Sequence, residues 1–417
     1  MEKEGISREF LDAEAATNRL GVKASTLYAY VSRGLIRSVA HETDSKAHLY
    51  ARADIEALVR RKARMRRPST AAATALDWGM PVMESRITQI AEGRLFYRGH
   101  DVTALADTHS FESTARILWQ AEAEPDPFQD LSFNADAIPG WWATATVFET
   151  AGVIERTLAL MALLLTGEPP VLAPAQRARH GATLVLAMAS ATVGRKLPRP
   201  LTTTVPLHVA IAGAWGRPEA AEAIRRALVV CADHELNAST FACRVVASTG
   251  AGILCSLLAG VAALSGPKHG GTTVRVAAWL DEIMAAKSPE EAVRQRLRRG
   301  EDIVGFGHPL YPTQDPRAEA LLAHLPLPDT IAQTLAAVHA QTGLRPTIDF
   351  ALVAVERSYS LPAGAALALF ALGRAAGWIA HAFEQQASNV LIRPRAAFVG
   401  TRAAPTRGRL GAGRPAP

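Results

Sequence analysis

The sequence predicts a mainly α protein in two parts, a small winged helix-turn-helix unit at the N-terminus and a long helical body behind it. Three observations lead there. Residues 10–64 carry their own apolar period and their own glycine punctuation. From about Trp119 to Gly400 the chain runs in long Ala/Leu-rich segments interrupted by Gly and Pro, with no 20-to-50-residue repeat. At 417 residues, 49% of them hydrophobic, the chain can bury a large core and extend over more than one domain.

In the N-terminal part, Leu11-Asp12-Ala13-Glu14-Ala15-Ala16 opens a short helix that runs to Leu20, and Gly21-Val22 makes the turn. Ala24 to Val31 forms a second helix stopped by Gly34. Leu35-Ile36 and His48-Leu49-Tyr50 flank a polar turn as a small wing, and a third helix starts at Ala53 and ends in basic residues. Domain bounds follow: 1–67 for this unit, a small, polar, proline-initiated linker at 68–76, the body at 77–400, and a disordered basic tail at 401–417. The positive charge sits at the ends. Residues 1–70 carry net +5 and 401–417 net +4, against +6 for the whole chain, which suits a polyanionic partner for the N-terminal part rather than the middle.

Met1 to Glu14 is acidic and polar, unlike a secretory leader. Cys231, Cys243 and Cys255 are an odd count without CxxC or Cys/His clustering, so neither disulfides nor a metal site is expected, and the expected address is cytoplasmic. Val245 to Leu264 is uncharged over 20 residues and meets the length criterion for a membrane span. Its Gly, Ala, Ser and Thr content, the lack of an aromatic belt and its place between two histidine motifs favour a core helix with close helix contacts, and no membrane partner.

Chemistry concentrates on three polar stretches, two of them punctuated by glycine. Gly305-Phe306-Gly307-His308-Pro309-Leu310-Tyr311, closing on Asp315-Pro316-Arg317, joins an imidazole to a guanidinium that offers a planar fork for a carboxylate, with glycines that permit close backbone approach to a ligand. Asp233-His234-Glu235-Leu236-Asn237-Ala238-Ser239 and Gly266-Pro267-Lys268-His269-Gly270-Gly271 lie upstream; Asp349, Arg374 and Arg393 lie downstream. His234 and His269 are 35 residues apart, His269 and His308 39, Asp349 and Arg374 25.

These motifs, in this order and at these separations, closely resemble the citrate synthase family. The resemblance is strongest over 226–400 and weak over 125–225, and Gly93-Arg94-Leu95-Phe96-Tyr97-Arg98-Gly99 resembles the family's small N-terminal strand pair. It implies an all-helical, two-lobed body that condenses acetyl-CoA or propionyl-CoA with oxaloacetate, with acyl-CoA as co-substrate, no resident cofactor and no metal. By the same resemblance Asp349 is the base, and His269 the donor to the thioester oxygen. His308 is the donor to the 2-oxo carbonyl, while His234, Arg317, Arg374 and Arg393 hold carboxylates. The backbone at Val304, Gly305 and Gly307 packs against the CoA adenine. Arg393 reaches in from a second subunit, which implies a homodimer. His269 stands at the start of a helix whose dipole favours a neutral imidazole, with Lys268 beside it. Two departures stand out: Phe350-Ala351 replaces the usual aromatic-Ser-Gly after Asp349, and Cys231 stands where many relatives carry His.

Residues 10–28 resemble the winged helix-turn-helix of the MerR and excisionase type, with Phe10 in its aromatic slot. That resemblance puts the second helix in the major groove of duplex DNA, with Lys23, Ser25, Thr26 and Tyr28 facing bases or phosphates and Arg33 and Arg37 on the backbone. A three-helix module for protein contact is the alternative. For the whole chain two readings stand: a condensing enzyme with an appended DNA-binding domain, and a transcription regulator whose body senses an effector. The complete acid-base set favours the first.

Overall fold

The computed structural model describes residues 10–22, 24–32, 36–40, 48–65, 83–122, 125–169, 172–396 and 398–400. The chain divides into two units, residues 1–84 with 394–417, and residues 85–393.

In the first unit Asp12 caps the Ala13–Leu20 helix by accepting from the Ala15 N–H at 2.7 Å, and Gly21 ends it in the left-handed region at φ 61°. Helices Ala24–Ser32 and Arg52–Met65 follow. Strand His48–Ala51 pairs antiparallel with Ser38–Ala40 on one side and with Phe10–Leu11, a strand not read from the sequence, on the other. Ala16, Leu20, Leu27, Ile36, Tyr50 and Ile55 form a small core of their own.

Of the residues expected to face DNA, Lys23, Arg33 and the Ser25 side chain lie outside the described residues, as do the 68–76 linker and the 401–417 tail. Thr26 is half-buried and Tyr28 is exposed. The Arg37 guanidinium makes a two-pronged pair with Asp54 at 2.9 and 3.0 Å, which engages Nε and Nη2 inside the unit while the side chain stays exposed.

The second unit opens with the antiparallel strands Thr88–Ala91, Arg94–Tyr97 and His100–Asp101, paired Ala91 to Arg94 and Tyr97 to His100. Beyond them the regular structure is almost entirely helical. Its axis is the Ala365–Ser388 helix, against which pack the helices Phe111–Trp119, Pro174–Val193, Ala221–Val230, Ala238–Ala247, Ile253–Leu264 and Ile348–Ser358. This central helix is the one helix among the described residues long and apolar enough to cross a membrane, yet 94% of its apolar window is buried in the protein. Neighbouring helices, not lipid, cover it.

The uncharged stretch from Val245 to Leu264 is not one core helix. It holds the end of Ala238–Ala247, a turn with Gly250 at φ 82°, and the Ile253–Leu264 helix. A distant residue marks the break: the Glu168 carboxylate accepts the Leu254 N–H at 3.0 Å, and a Cβ at Gly252 would lie 2.7 Å from the same carboxylate. The close contact expected of its small residues is real. A Cβ at Gly260 would meet the Trp378 ring at 2.7 Å, so only glycine lets this helix lie so near the central one.

Candidate active site

The central helix carries the floor of the site. At Gly373 and Gly377 a Cβ would meet Cys231 at 2.9 Å and the Ala232 carbonyl at 2.4 Å, so bare glycines let the 231–233 segment rest on the helix backbone. The Tyr97 hydroxyl lies 3.0 and 2.9 Å from the carbonyls of Val230 and Asp233 and accepts the Asp233 N–H at 3.1 Å. That clamp, with Glu235 at a positive φ of 53°, delivers His234 into the interior. Asn237 then caps the Ala238–Ala247 helix through the Thr240 N–H at 3.0 Å, and so positions Ser239. Beneath the loop lies a buried polar layer in which Asp233 meets the His381 Nε2 at 3.3 Å, and Arg244 pairs with Glu384 at 2.7 Å. His381 therefore belongs to the supporting layer.

The loop bearing His308 is held by backbone pairing to 345–347: Gly307 N–H to Arg345 carbonyl at 2.9 Å and Thr347 N–H to Gly305 carbonyl at 2.8 Å. The two glycines of this loop differ in their surroundings. Gly305, at φ 82°, is required by packing, because a Cβ there would lie 2.7 Å from Val276 and 3.2 Å from Phe350. Val304 is buried as well, and Gly307 alone of these three expected ligand-facing positions is exposed.

Three imidazoles share one interior. The ring centroids of His234 and His308 are 5.4 Å apart, edge to face, and the Tyr311 ring lies 5.7 and 5.0 Å from them. His234 Nε2 is 2.9 Å from the Tyr311 hydroxyl, and His269 Nε2 is 2.8 Å from the Ser239 hydroxyl. Burial holds His234 well below its ordinary range, reinforced by Arg317, Arg374, His308 and His269, which places all five groups in one electrostatic neighbourhood. Burial pushes His269 to about 4, with Arg374 adding to it, and His308 to about 4, with Arg317 adding to it. Burial is thus the largest source of the neutrality expected of His269, and Lys268, which is exposed, is not among its causes. His308 Nδ1 accepts the Leu310 N–H at 3.1 Å. In a neutral ring that leaves the proton on Nε2, so His308 is a donor there.

The cations divide in role. Arg317 is almost wholly buried and its fork is already taken: Nε and Nη2 donate to Asp315 at 2.9 and 2.8 Å. Burial alone would raise Asp315, but Arg317, with His308 and the Ile348 N–H, holds its carboxyl below the usual range. That N–H, 3.1 Å away, ties the pair to the first turn of the Ile348–Ser358 helix, next to Asp349. Arg374, also buried, spends Nε on the Cys231 carbonyl at 2.9 Å and lies 4.9 Å over the Phe370 ring, while its Nη1 is buried with no partner. A lone guanidinium nitrogen of this kind is costly unless an anion meets it. Asp349 is half-buried as a residue. Its carboxyl nevertheless sits deep enough for burial to push it up to about 6, against the pull of Arg317.

Arg393 is not brought to this site within the chain. It is exposed and makes no hydrogen bond or ion pair among the described residues. Sequence reasoning did not name Tyr311, Ser239 or Asp315 as functional, although each lies inside a quoted motif. Their spacing to a histidine or arginine carries no signal until the chain is folded. Among the described residues no group of three or more His, Cys, Asp or Glu side chains is placed to hold a metal ion.

Fold and site together define a mainly helical protein that sets a raised carboxyl and two neutral imidazoles beside a buried arginine with a free donor. The sequence profile described as citrate synthase, C-terminal domain, matches residues 75–395, and the chain belongs to the citrate synthase family. Over 195 residues it is 40% identical to a Mycobacterium tuberculosis protein provisionally named citrate synthase 2; the match covers 44% of this chain and 52% of that protein, so the chain spans about half the length of this relative. It is 29% identical to citrate synthase 2 of Bacillus subtilis over 353 residues, 77% of this chain and 94% of that one. The crystal structure of citrate synthase from Thermotoga maritima superposes with a TM-score of 0.63 at 26% identity, covering 78% of this chain and 95% of that one.

Proposed function

We propose that the protein is a citrate synthase, condensing oxaloacetate with acetyl-CoA, or propionyl-CoA, to give citrate, or 2-methylcitrate, and CoA. The observation that carries this is the pairing of Asp349, a carboxyl pushed up to about 6, with His269 and His308, neutral rings able to donate without carrying charge. Asp349 removes a proton from the carbon next to the thioester carbonyl while His269 donates to the thioester oxygen. The enol carbon then attacks the 2-oxo carbonyl, and His308 Nε2–H donates to the oxygen that becomes the hydroxyl. Water cleaves the resulting thioester, releasing CoA. Arg374 Nη1, His234 and the remaining nitrogen of Arg317 anchor the carboxylates. In this reading the backbone at Val304, Gly305 and Gly307 faces CoA, and Arg393 completes the site of a second copy in a homodimer.

Thiol release from acetyl- and propionyl-CoA, with oxaloacetate and EDTA-treated protein, tests the reading. The enzyme is expected to turn over without added metal. Because Asp349 must be ionised to act, kcat/KM should rise with pH through about 6 and then level, since the two donor histidines are already neutral there. No thiol release with either ester would hand the body to the effector-sensing reading.

For residues 1–67 we propose a winged helix-turn-helix that contacts duplex DNA. Its support is the helix pair joined at Gly21, followed by the antiparallel Ser38–Ala40 and His48–Ala51 strands, with Tyr28 exposed on the second helix. Full-length protein is expected to bind a genomic-fragment pool at low salt, with affinity falling steeply as salt rises. Absence of binding, or salt-insensitive binding, would move this unit to protein docking.

A further inference from the structure

We propose that Tyr311 is a positioning residue that sets the tautomer of His234: its hydroxyl donates to Nε2, so the ring proton resides on Nδ1 and His234 enters the site as a hydrogen-bond donor. The Tyr311 hydroxyl is 2.9 Å from His234 Nε2, and this is its one hydrogen bond among the described residues. The tyrosine is 2% exposed, and its ring is fixed by three neighbours. The Arg317 guanidinium lies 5.5 Å over it, and the rings of His308 and His234 lie 5.0 and 5.7 Å away. His234 Nδ1 has no partner among the described residues.

A neutral imidazole carries one N–H, and which nitrogen holds it is decided by the partner of the other. If Nε2 held the proton and pointed it at the Tyr311 oxygen, Nδ1 would present a lone pair, and a lone pair repels a carboxylate. An anion gathered by Arg374 and Arg317 therefore favours the tautomer in which Nδ1 bears the proton, and Nε2 then needs a donor. Tyr311 is the group placed to supply it. Burial pushes its hydroxyl up from the ordinary phenol range, so it keeps its proton at neutral pH. His308 solves the same problem with a backbone N–H from Leu310, whereas His234 depends on a side chain. Phenylalanine can remove that side-chain donor while leaving the ring packing.

The inference rests on the citrate synthase reading for its consequence but not for its direct test. In histidine-15N-labelled full-length protein without substrate, long-range correlation spectra should show His234, assigned by its loss in His234→Asn, with Nδ1 protonated; Tyr311→Phe should shift it toward a mixture. In turnover, Tyr311→Phe should raise the KM for oxaloacetate about tenfold, the scale of one net hydrogen bond. The KM for acyl-CoA and the melting temperature should change little. An Nε2-protonated ring in the wild-type protein, or an unchanged oxaloacetate KM in an active Tyr311→Phe enzyme, overturns the proposal. Wild-type protein that releases no thiol sinks the citrate synthase reading instead, and the spectra still decide the tautomer.

Discussion

Asp349→Ala is expected to lower turnover by about 10³-fold, the scale of a lost general base, while oxaloacetate still binds. In the proposed mechanism affinity resides in the buried cations and Asp349 acts on the acyl group, so calorimetric binding of oxaloacetate should survive the loss of thiol release. Near-normal turnover would show that another group removes the proton. Asp349→Asn carries a second expectation, in stability. A carboxyl held at about 6 in the fold, above its value of 3.8 in an open chain, binds its proton more tightly when folded. The stability this contributes is complete below about 3.8 and is lost as pH rises through about 6. At neutral pH the ionised group is thus a burden on the order of 1–2 kcal/mol, allowing for its partial exposure. Asn, isosteric and uncharged, should raise the melting temperature at pH 7.5 and lose that advantage at pH 4. A melting temperature that falls at both pH values would contradict it.

Arg374→Gln is expected to raise the KM for oxaloacetate by about 10²-fold, because it removes the guanidinium nitrogen that lies buried beside the three imidazoles without a protein partner. Arg317 cannot compensate, since two of its donors are committed to Asp315. Arg374→Lys should recover only part of the loss: the charge returns without the planar fork. Because Arg374 also helps to depress His269 and His234, both rings should titrate at higher pH in the Gln variant, although burial keeps them low. Steady-state KM values for both substrates, with a melting curve as the folding check, separate this from general damage. An oxaloacetate KM within threefold of wild type would place the anchor elsewhere.

Much of this was determined by sequence alone. The helical period and the Gly21 turn are local, set by contacts within a few residues, and they are where the pattern places them. Likewise the polar histidine loops announce a site because such residues, in glycine-rich company, seldom serve a core. Distances along the chain, however, do not say which groups meet. His234 and Tyr311 are 77 residues apart, His269 and Ser239 30, and each hydrogen bond exists only because several helices close on the central one.

Tertiary structure therefore decided the state of each group: that Asp315 fills the fork of Arg317, that Arg374 keeps a donor free, that Gly305 answers to packing, and that burial, with Arg374, lowers His269. It also broke the uncharged Val245 to Leu264 run at a turn, because a carboxylate from residue 168 caps the second helix there. The physical reason is common to all of these. A residue's type and its near neighbours set its local conformation, whereas its hydration, charge and hydrogen-bond partner are set by whatever the rest of the chain packs against it.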